Sequence, residues 1–351
     1  MHQKFIRSLF IRTAVLLAFI AMIIITIDPF FHYHGPMGSL KTVLTEREYQ
    51  MTGSIQHLNY DSIILGSSVA ENYNNQWFDE GFECTTIKAI RASGPTADLM
   101  YYLNKAYTNH TIKNVFYSLD TFALITDSTT SFKESGFPMY LLNGTGMDDI
   151  SYVLNKDVLL EKIPYMLAYS YLVPYHEGDS YSWYQWKEGL FNNKEALLER
   201  YVYPSNRAEM KEKTYYEEQL NGNIKLMKEQ IEAHSETKFF LLFPPYSMLW
   251  WNDMYYLGDT DAYLYCVEKA IEDLVDYENV KLYYFQNDRE IILDLNKYMD
   301  TIHFSREVNQ EIADCIIADQ GRLRKETYCE QLEDMKALAY EIPTLLSEKL
   351  K

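Results

Sequence analysis

The chain is poor in the residues that build small metal or disulfide frameworks. Its 351 residues include four cysteines, Cys84, Cys266, Cys315 and Cys329. None forms a CxxC pair, so a zinc site is not expected, and no other metal or cofactor is implied. Cys84 and Cys315 fall in apolar stretches, and free thiols are the expectation, although a disulfide is permitted outside a membrane. Basic residues are also scarce: 32 stand against 50 acidic ones, for a formal charge of −18. Such a surface repels a phosphate backbone, which excludes nucleic acid as the expected partner. There is no internal repeat and no low-complexity tract, which excludes a repeat array. No small-x-small site follows Ile27, which speaks against a cleaved leader.

The chain is 47% hydrophobic, enough at this length to bury a sizeable core, as one large domain or as a domain with an insertion. Tyrosine is abundant at 31 and tryptophan adds 5; these aromatics fit both a packed core and a surface for neutral ligands such as sugars.

Residues 9–27 read LFIRTAVLLAFIAMIIITI. Only Arg12 interrupts the run with charge, near one end, where it can snorkel. As a helix the span is roughly 28 Å long, about the thickness of a hydrocarbon core. Lys4, Arg7 and Arg12 precede or open it, and the first acid, Asp28, follows it. This asymmetry predicts a single-pass plasma-membrane anchor with a cytoplasmic N-terminus. The expected division is a tail and anchor over residues 1–30 and an extracytoplasmic domain over 31–351. The bulky stretch DPFFHYHGP after the run favours an uncleaved anchor over a signal peptide. His32 and His34 within it have no further ligands nearby, and read as part of an interfacial aromatic belt rather than a metal site.

Five short apolar runs beyond the anchor predict strands: DSIILG at 61–66, TTIKAI at 85–90, NVFYSLD at 114–120, KFFLLF at 238–243 and VKLYYF at 280–285. Helical spacing of apolar residues marks 97–106, 217–233 and 262–275. The alternation predicts an α/β fold, a flavodoxin-like three-layer sandwich around a five-stranded parallel sheet. In such sheets sites form at the carboxyl ends of strands, where Ser67, Ser68 and Asp120 fall. Residues 126–213 are too many for a simple crossover and predict a mostly helical insertion capping the strand ends. Its cluster Tyr181, Trp183, Tyr184 and Trp186 is either a platform for a sugar ring or a small core under a loop.

GSS at 66–68 places two hydroxyls where a buried strand turns. Gly permits the turn and Ser can cap a following helix; a serine there can also be a nucleophile. A nucleophile needs a base, and the base an orienting acid. His2 lies in the tail, His32 and His34 beside the anchor, and His57, His110, His176 and His234 in loop-like or helix-end settings with no distinctive partner. His303 differs. In YMDTIHFS, Asp300 precedes it by three residues, a spacing that lets one turn of chain present both side chains together.

Taken together, ILGSSVAEN, the glycine-containing turn RASGPTAD, the polar turn SLDTF, FPPYS and YMDTIHFS resemble the SGNH (GDSL-like) hydrolase superfamily. With the anchor and DPFFHYH the chain looks closer to the extracytoplasmic members, among them relatives of the teichoic-acid D-alanylation protein and of the alginate O-acetylation proteins. The resemblance covers most of 61–315 outside the insertion. It implies Ser68 as nucleophile, His303 as base and Asp300 as orienting acid. It implies oxyanion donors at the Ser68 N–H and Gly94. The family's third turn offers an Asn side chain; here Asp120 takes that place, which a carboxylate cannot fill as donor unless protonated, and Thr121 is the substitute. Tyr246 and Ser247 are expected to contact substrate, or to be plain loop residues; Trp183 and Trp186 are the expected sugar platform. The implied activity is acyl hydrolysis or transfer on a cell-surface glycan or teichoic-acid-like polymer, with a membrane-bound O-acyltransferase as partner. A catalytically inactive polymer-binding or assembly factor on the same fold is the alternative.

Overall fold

The computed structural model describes residues 2–144, 146–183 and 193–349. The chain begins with α1 (His2–Ile27) and α2 (Arg47–His57). Strand β1 (Ser62–Gly66) leads to α3 (Asn75–Phe82), β2 (Thr86–Ile90) to α4 (Thr96–Asn109), and β3 (Asn114–Ser118) to the short α5 (Thr121–Leu124). Then come α6 (Ile150–Val153), a π-helical turn at Val158–Lys162, α7 (Ile163–Tyr171) and α8 (Lys194–Arg200). Helix α9 (Glu217–Ala233) enters β4 (Lys238–Phe243), followed by α10 (Met248–Leu257) and α11 (Thr260–Leu274). Strand β5 (Val280–Tyr284), α12 (Arg289–Ile292), α13 (Arg306–Ile317) and α14 (Tyr328–Lys349) complete the chain.

By their contacts these elements fall into two compact units: residues 2–59 with 132–181, and 60–131 with 182 onward. The stretch 126–213 is thus shared, with 132–181 in the first unit and its two ends in the second.

In the second unit the five strands pair in the order β2-β1-β3-β4-β5, all parallel. This is the doubly wound, flavodoxin-like order, whose strand direction reverses its march beside β1. The runs are apolar throughout rather than alternating because both faces are covered. Leu65, Val115, Tyr117 and Leu241 face Met100 and Leu103 of α4 and Met227 and Ile231 of α9. On the opposite face Phe116 meets Phe78 and Phe82 of α3 at 4.6 and 4.8 Å between ring centroids, and Phe240 meets Phe82 at 4.9 Å. Gly66 ends β1 where no side chain fits: a Cβ there would come within 2.8 Å of Ala70 Cβ and 3.1 Å of Ser118 Cβ.

In the first unit, α1 is 26 residues long with a mean hydropathy of 2.5 over its most apolar window, long and apolar enough to cross a membrane. Most of its side chains are exposed, but Ile24 is fully buried. It shares a cluster with Phe30, Leu141, Tyr152, Val158 and Ile163, against which Ile20, Ile23 and Ile27 also pack. The DPFFHYH stretch corrects the reading of an interfacial belt. Asp28 is a buried hub that accepts the N–H groups of His32, Tyr33 and His34 at 3.0, 2.7 and 3.0 Å and the Tyr152 hydroxyl at 2.7 Å. His32 is itself buried, with Nε2 3.1 Å from Asp149 Oδ1. A buried carboxylate must collect donors, and the turn folds around it.

All four cysteines are free: Cys266 is buried, Cys84 and Cys315 half-buried and Cys329 exposed. Among the described residues no group of three or more His, Cys, Asp or Glu could hold a metal ion.

Candidate active site

Ser67 leaves β1 in an extended conformation and is buried, whereas Ser68 is half-buried and turned outward. The helix expected to start at Ser68 is only a single 3₁₀ turn, Ser68–Ala70; the next α-helix waits until Asn75. The reason lies in Gly66 and Ser67. The close approach of β3 at Gly66 fixes the exit angle, and the Ser67 hydroxyl caps the turn by accepting the Val69 N–H at 3.3 Å. A three-residue turn has no macrodipole to speak of, so the local N–H groups matter more than a helix end. The Ser68 N–H has no hydrogen-bond partner among the described residues.

The segment after β5 forms a tight loop closed by an antiparallel bridge between Tyr298 and Phe304. Asp300 organises its tip. Its Oδ1 accepts the N–H of Ile302 at 2.9 Å and of His303 at 2.8 Å, while Oδ2 lies 2.7 Å from His303 Nδ1. The other ring nitrogen, Nε2, lies 2.8 Å from Ser68 Oγ. Residues 235 positions apart are thereby joined in one relay, Asp300–His303–Ser68. With Nδ1 facing a carboxylate, the proton is assigned to Nδ1, leaving Nε2 to accept from the serine. Burial pushes the Asp300 carboxyl up, but its bond to the imidazole, the charge of His303 and the N–H groups of His303 and Ile302 outweigh this and hold it below the usual range.

The FPPYS loop after β4 supports this tip from behind. Ser247 donates both its N–H and its hydroxyl to the Thr301 carbonyl, at 3.1 and 2.8 Å, and Tyr298 donates its hydroxyl to the Pro245 carbonyl at 2.8 Å. Tyr246 and Ser247 are both fully buried. The expectation that they contact substrate is therefore corrected: they face inward because the loop is spent on holding residues 298–304. Tyr298 was not singled out from sequence, where it looks like any of 31 tyrosines.

Asp120 is buried beside the turn. It accepts a short hydrogen bond from the Tyr246 hydroxyl, and the hydroxyl and N–H of Ser67 also reach it. Burial raises its carboxyl to about 6, against the lowering pull of Ser67, Tyr246 and the His303 charge. The neighbouring Thr121 hydroxyl accepts from Gln286 Nε2 at 3.2 Å. Gly94 lies two residues ahead of α4, and its N–H is bonded to the Arg91 carbonyl at 2.9 Å. In this conformation that N–H is occupied rather than open. Its lack of a side chain is still required, since a Cβ would meet Arg91 Cγ at 2.2 Å.

Trp183 stands edge-on to the His303 ring, with centroids 5.6 Å apart at 89°. The adjacent Ser182 donates to Asn72 Oδ1 at 3.1 Å, tying this segment to the loop after Ser68. Trp186 and Tyr184, the rest of the aromatic cluster, lie outside the described residues. Tyr181 is buried and is part of the first unit.

No family model matches the chain, and no curated protein matches it. Among solved structures it is similar to one described as "a putative platelet activating factor from Streptococcus pneumonia", at 11% identity and a TM-score of 0.41, over 78% of this chain and 90% of the other. A likeness that weak carries no argument about activity.

Proposed function

We propose that the chain is a membrane-anchored serine acyl esterase or O-acyltransferase of the SGNH type. The observation that carries this reading is the relay of Ser68, His303 and Asp300 at 2.8 and 2.7 Å. In it, His303 Nε2 takes the Ser68 proton as Oγ attacks the acyl carbonyl carbon. Asp300 holds the imidazole and balances the imidazolium that forms. The Ser68 N–H is the nearest donor for the oxyanion. Collapse of the tetrahedral intermediate expels the alcohol, which leaves with the proton from His303. Water, in an esterase, or an acceptor hydroxyl, in a transferase, then gives its proton to His303 and takes the acyl group from Ser68.

The proposed acceptor is a hydroxyl of a cell-surface glycan. The formal charge of −18 favours a neutral polymer over a polyphosphate such as a teichoic acid, by the same repulsion that disfavours nucleic acid. Trp183, beside His303, is the proposed sugar contact. Helix α1 as a spanning anchor, N-terminus inside, would hold the second unit outside the plasma membrane, where a membrane-bound O-acyltransferase could supply acyl groups.

A second reading, a non-catalytic glycan-binding or assembly factor, is favoured by two observations. The Gly94 N–H is engaged by Arg91, and a buried carboxylate stands where the third donor is expected. Turnover of a small chromogenic acyl ester by the full chain in detergent separates the two. Activity that is lost in Ser68→Ala and His303→Ala at unchanged melting temperature supports the enzyme. Equal rates in wild type and Ser68→Ala would refute it.

A further inference from the structure

We propose that residues 147–173 form a second membrane-contacting element, an in-plane segment seated in the leaflet that α1 leaves at Ile27, with lipid as its occupant. The inference rests on the reading of α1 as a spanning anchor.

Depth along α1 makes the argument. If residues 9–27 fill a hydrocarbon core of about 30 Å, then Ile20, Ile23, Ile24 and Ile27 occupy its last ~10 Å. These are the α1 residues packed against Tyr152, Val153, Val158, Leu159, Ile163 and Leu167. Side chains that touch Ile20 and Ile24 must share their depth. The segment carrying them therefore enters the leaflet with α1.

Its composition suits that position. Helix α7 contains no charged residue and is apolar on every side, although it is only partly buried. A helix of that kind belongs in a protein core or against lipid. Its outward stripe, Leu160, Pro164, Ala168 and Leu172, recurs every four residues, with Leu160 at 69% and Leu172 at 83% exposure. Ile150 and Met147, on the preceding turns, are also exposed. The backbone is helical from Lys156 through Tyr171, so its polar groups are satisfied within the segment, as lipid contact requires. Charge is confined to the entry: Lys156, Asp157 and Glu161 are exposed, and Lys162 pairs with Glu46 at 2.7 Å. That turn fits the headgroup level, with the long lysine stem snorkelling.

The test uses the full chain reconstituted in vesicles of phosphatidylcholine and phosphatidylglycerol with a clickable acyl chain. The photo-crosslinker benzoylphenylalanine replaces Leu160, Leu172, Val15 or Val202 in separate variants. Val15 reports on α1 alone. Val202, 85% exposed and apolar but in the second unit, is the control for exposure as such. Lipid adducts at 160 and 172 comparable to those at 15, and about tenfold above those at 202, are expected. Adducts at 15 but not at 160 or 172 would overturn the proposal and leave the anchor standing. No adduct at 15 would overturn the anchor and the proposal together. Protein–protein adducts at 160 and 172 in place of lipid would make the face a self-association surface and overturn it too.

Discussion

Replacing Asp120 by Asn should alter the pH dependence of stability more than any other single change near the site. The carboxyl is fully buried, and burial raises it from the ordinary 3.8 to about 6 in spite of its bonds to Ser67 and Tyr246. Across pH 4–6 the native state thus keeps a proton that the unfolded chain has already lost. Stability contributed by this group must fall as pH rises through that window and level off above it. A rise of about two pH units corresponds to about 3 kcal/mol, since each unit is worth ~1.36 kcal/mol. Asn is nearly isosteric, can accept from Ser67 and Tyr246, and carries no charge to desolvate. The stability difference between Asp120→Asn and wild type should therefore be small near pH 4 and grow toward ~3 kcal/mol in favour of the variant by pH 7. Urea unfolding of the full chain in detergent, followed by tryptophan fluorescence at steps from pH 4 to 7, measures it. A difference that stays flat across this range would refute the buried, proton-holding carboxylate.

Two further perturbations probe the scaffold. Ser247→Ala removes the hydroxyl bond to Thr301 behind the Asp300–His303 tip; it should cost about 1 kcal/mol of stability and lower kcat more than it raises KM. Unchanged kinetics would show that the backbone bond alone holds the tip. Gly66→Ala forces a methyl within 2.8 Å of Ala70 Cβ, and should destabilise by roughly 1–3 kcal/mol, read as a lower denaturant midpoint.

Much of the sheet was readable because its strands are buried on both faces, and such strands appear as uninterrupted apolar runs. Every strand lies within one residue of its run at the start, and the runs at 114–120 and 280–285 overshoot only where the backbone turns toward the site. The nearness of Asp300 to His303 was readable because it is local; a carboxylate three residues away can accept both the imidazole and the intervening N–H groups. What lay beyond sequence was long-range and polar. Nothing local says that Ser247 spends its hydroxyl on Thr301, or that Tyr298 reaches Pro245 across 53 positions. Asp28 looked like the first acid after an apolar run; its role as a buried hub depends on Tyr152, 124 residues away. The expected helix at Ser68 shrank to one turn because the Gly66 contact with Ser118 on β3, a tertiary effect, sets the direction of the chain there.

The central claim is that Ser68 is a nucleophile activated by His303. Its most direct test is covalent: incubation of the full chain with an alkyl fluorophosphonate, then intact mass and peptide mapping. The account predicts one adduct per chain, located on Ser68 and not on Ser67, with labelling abolished in His303→Ala and retained in Ser67→Ala. A chain that takes up no reagent, or takes it equally with His303 removed, would contradict the account.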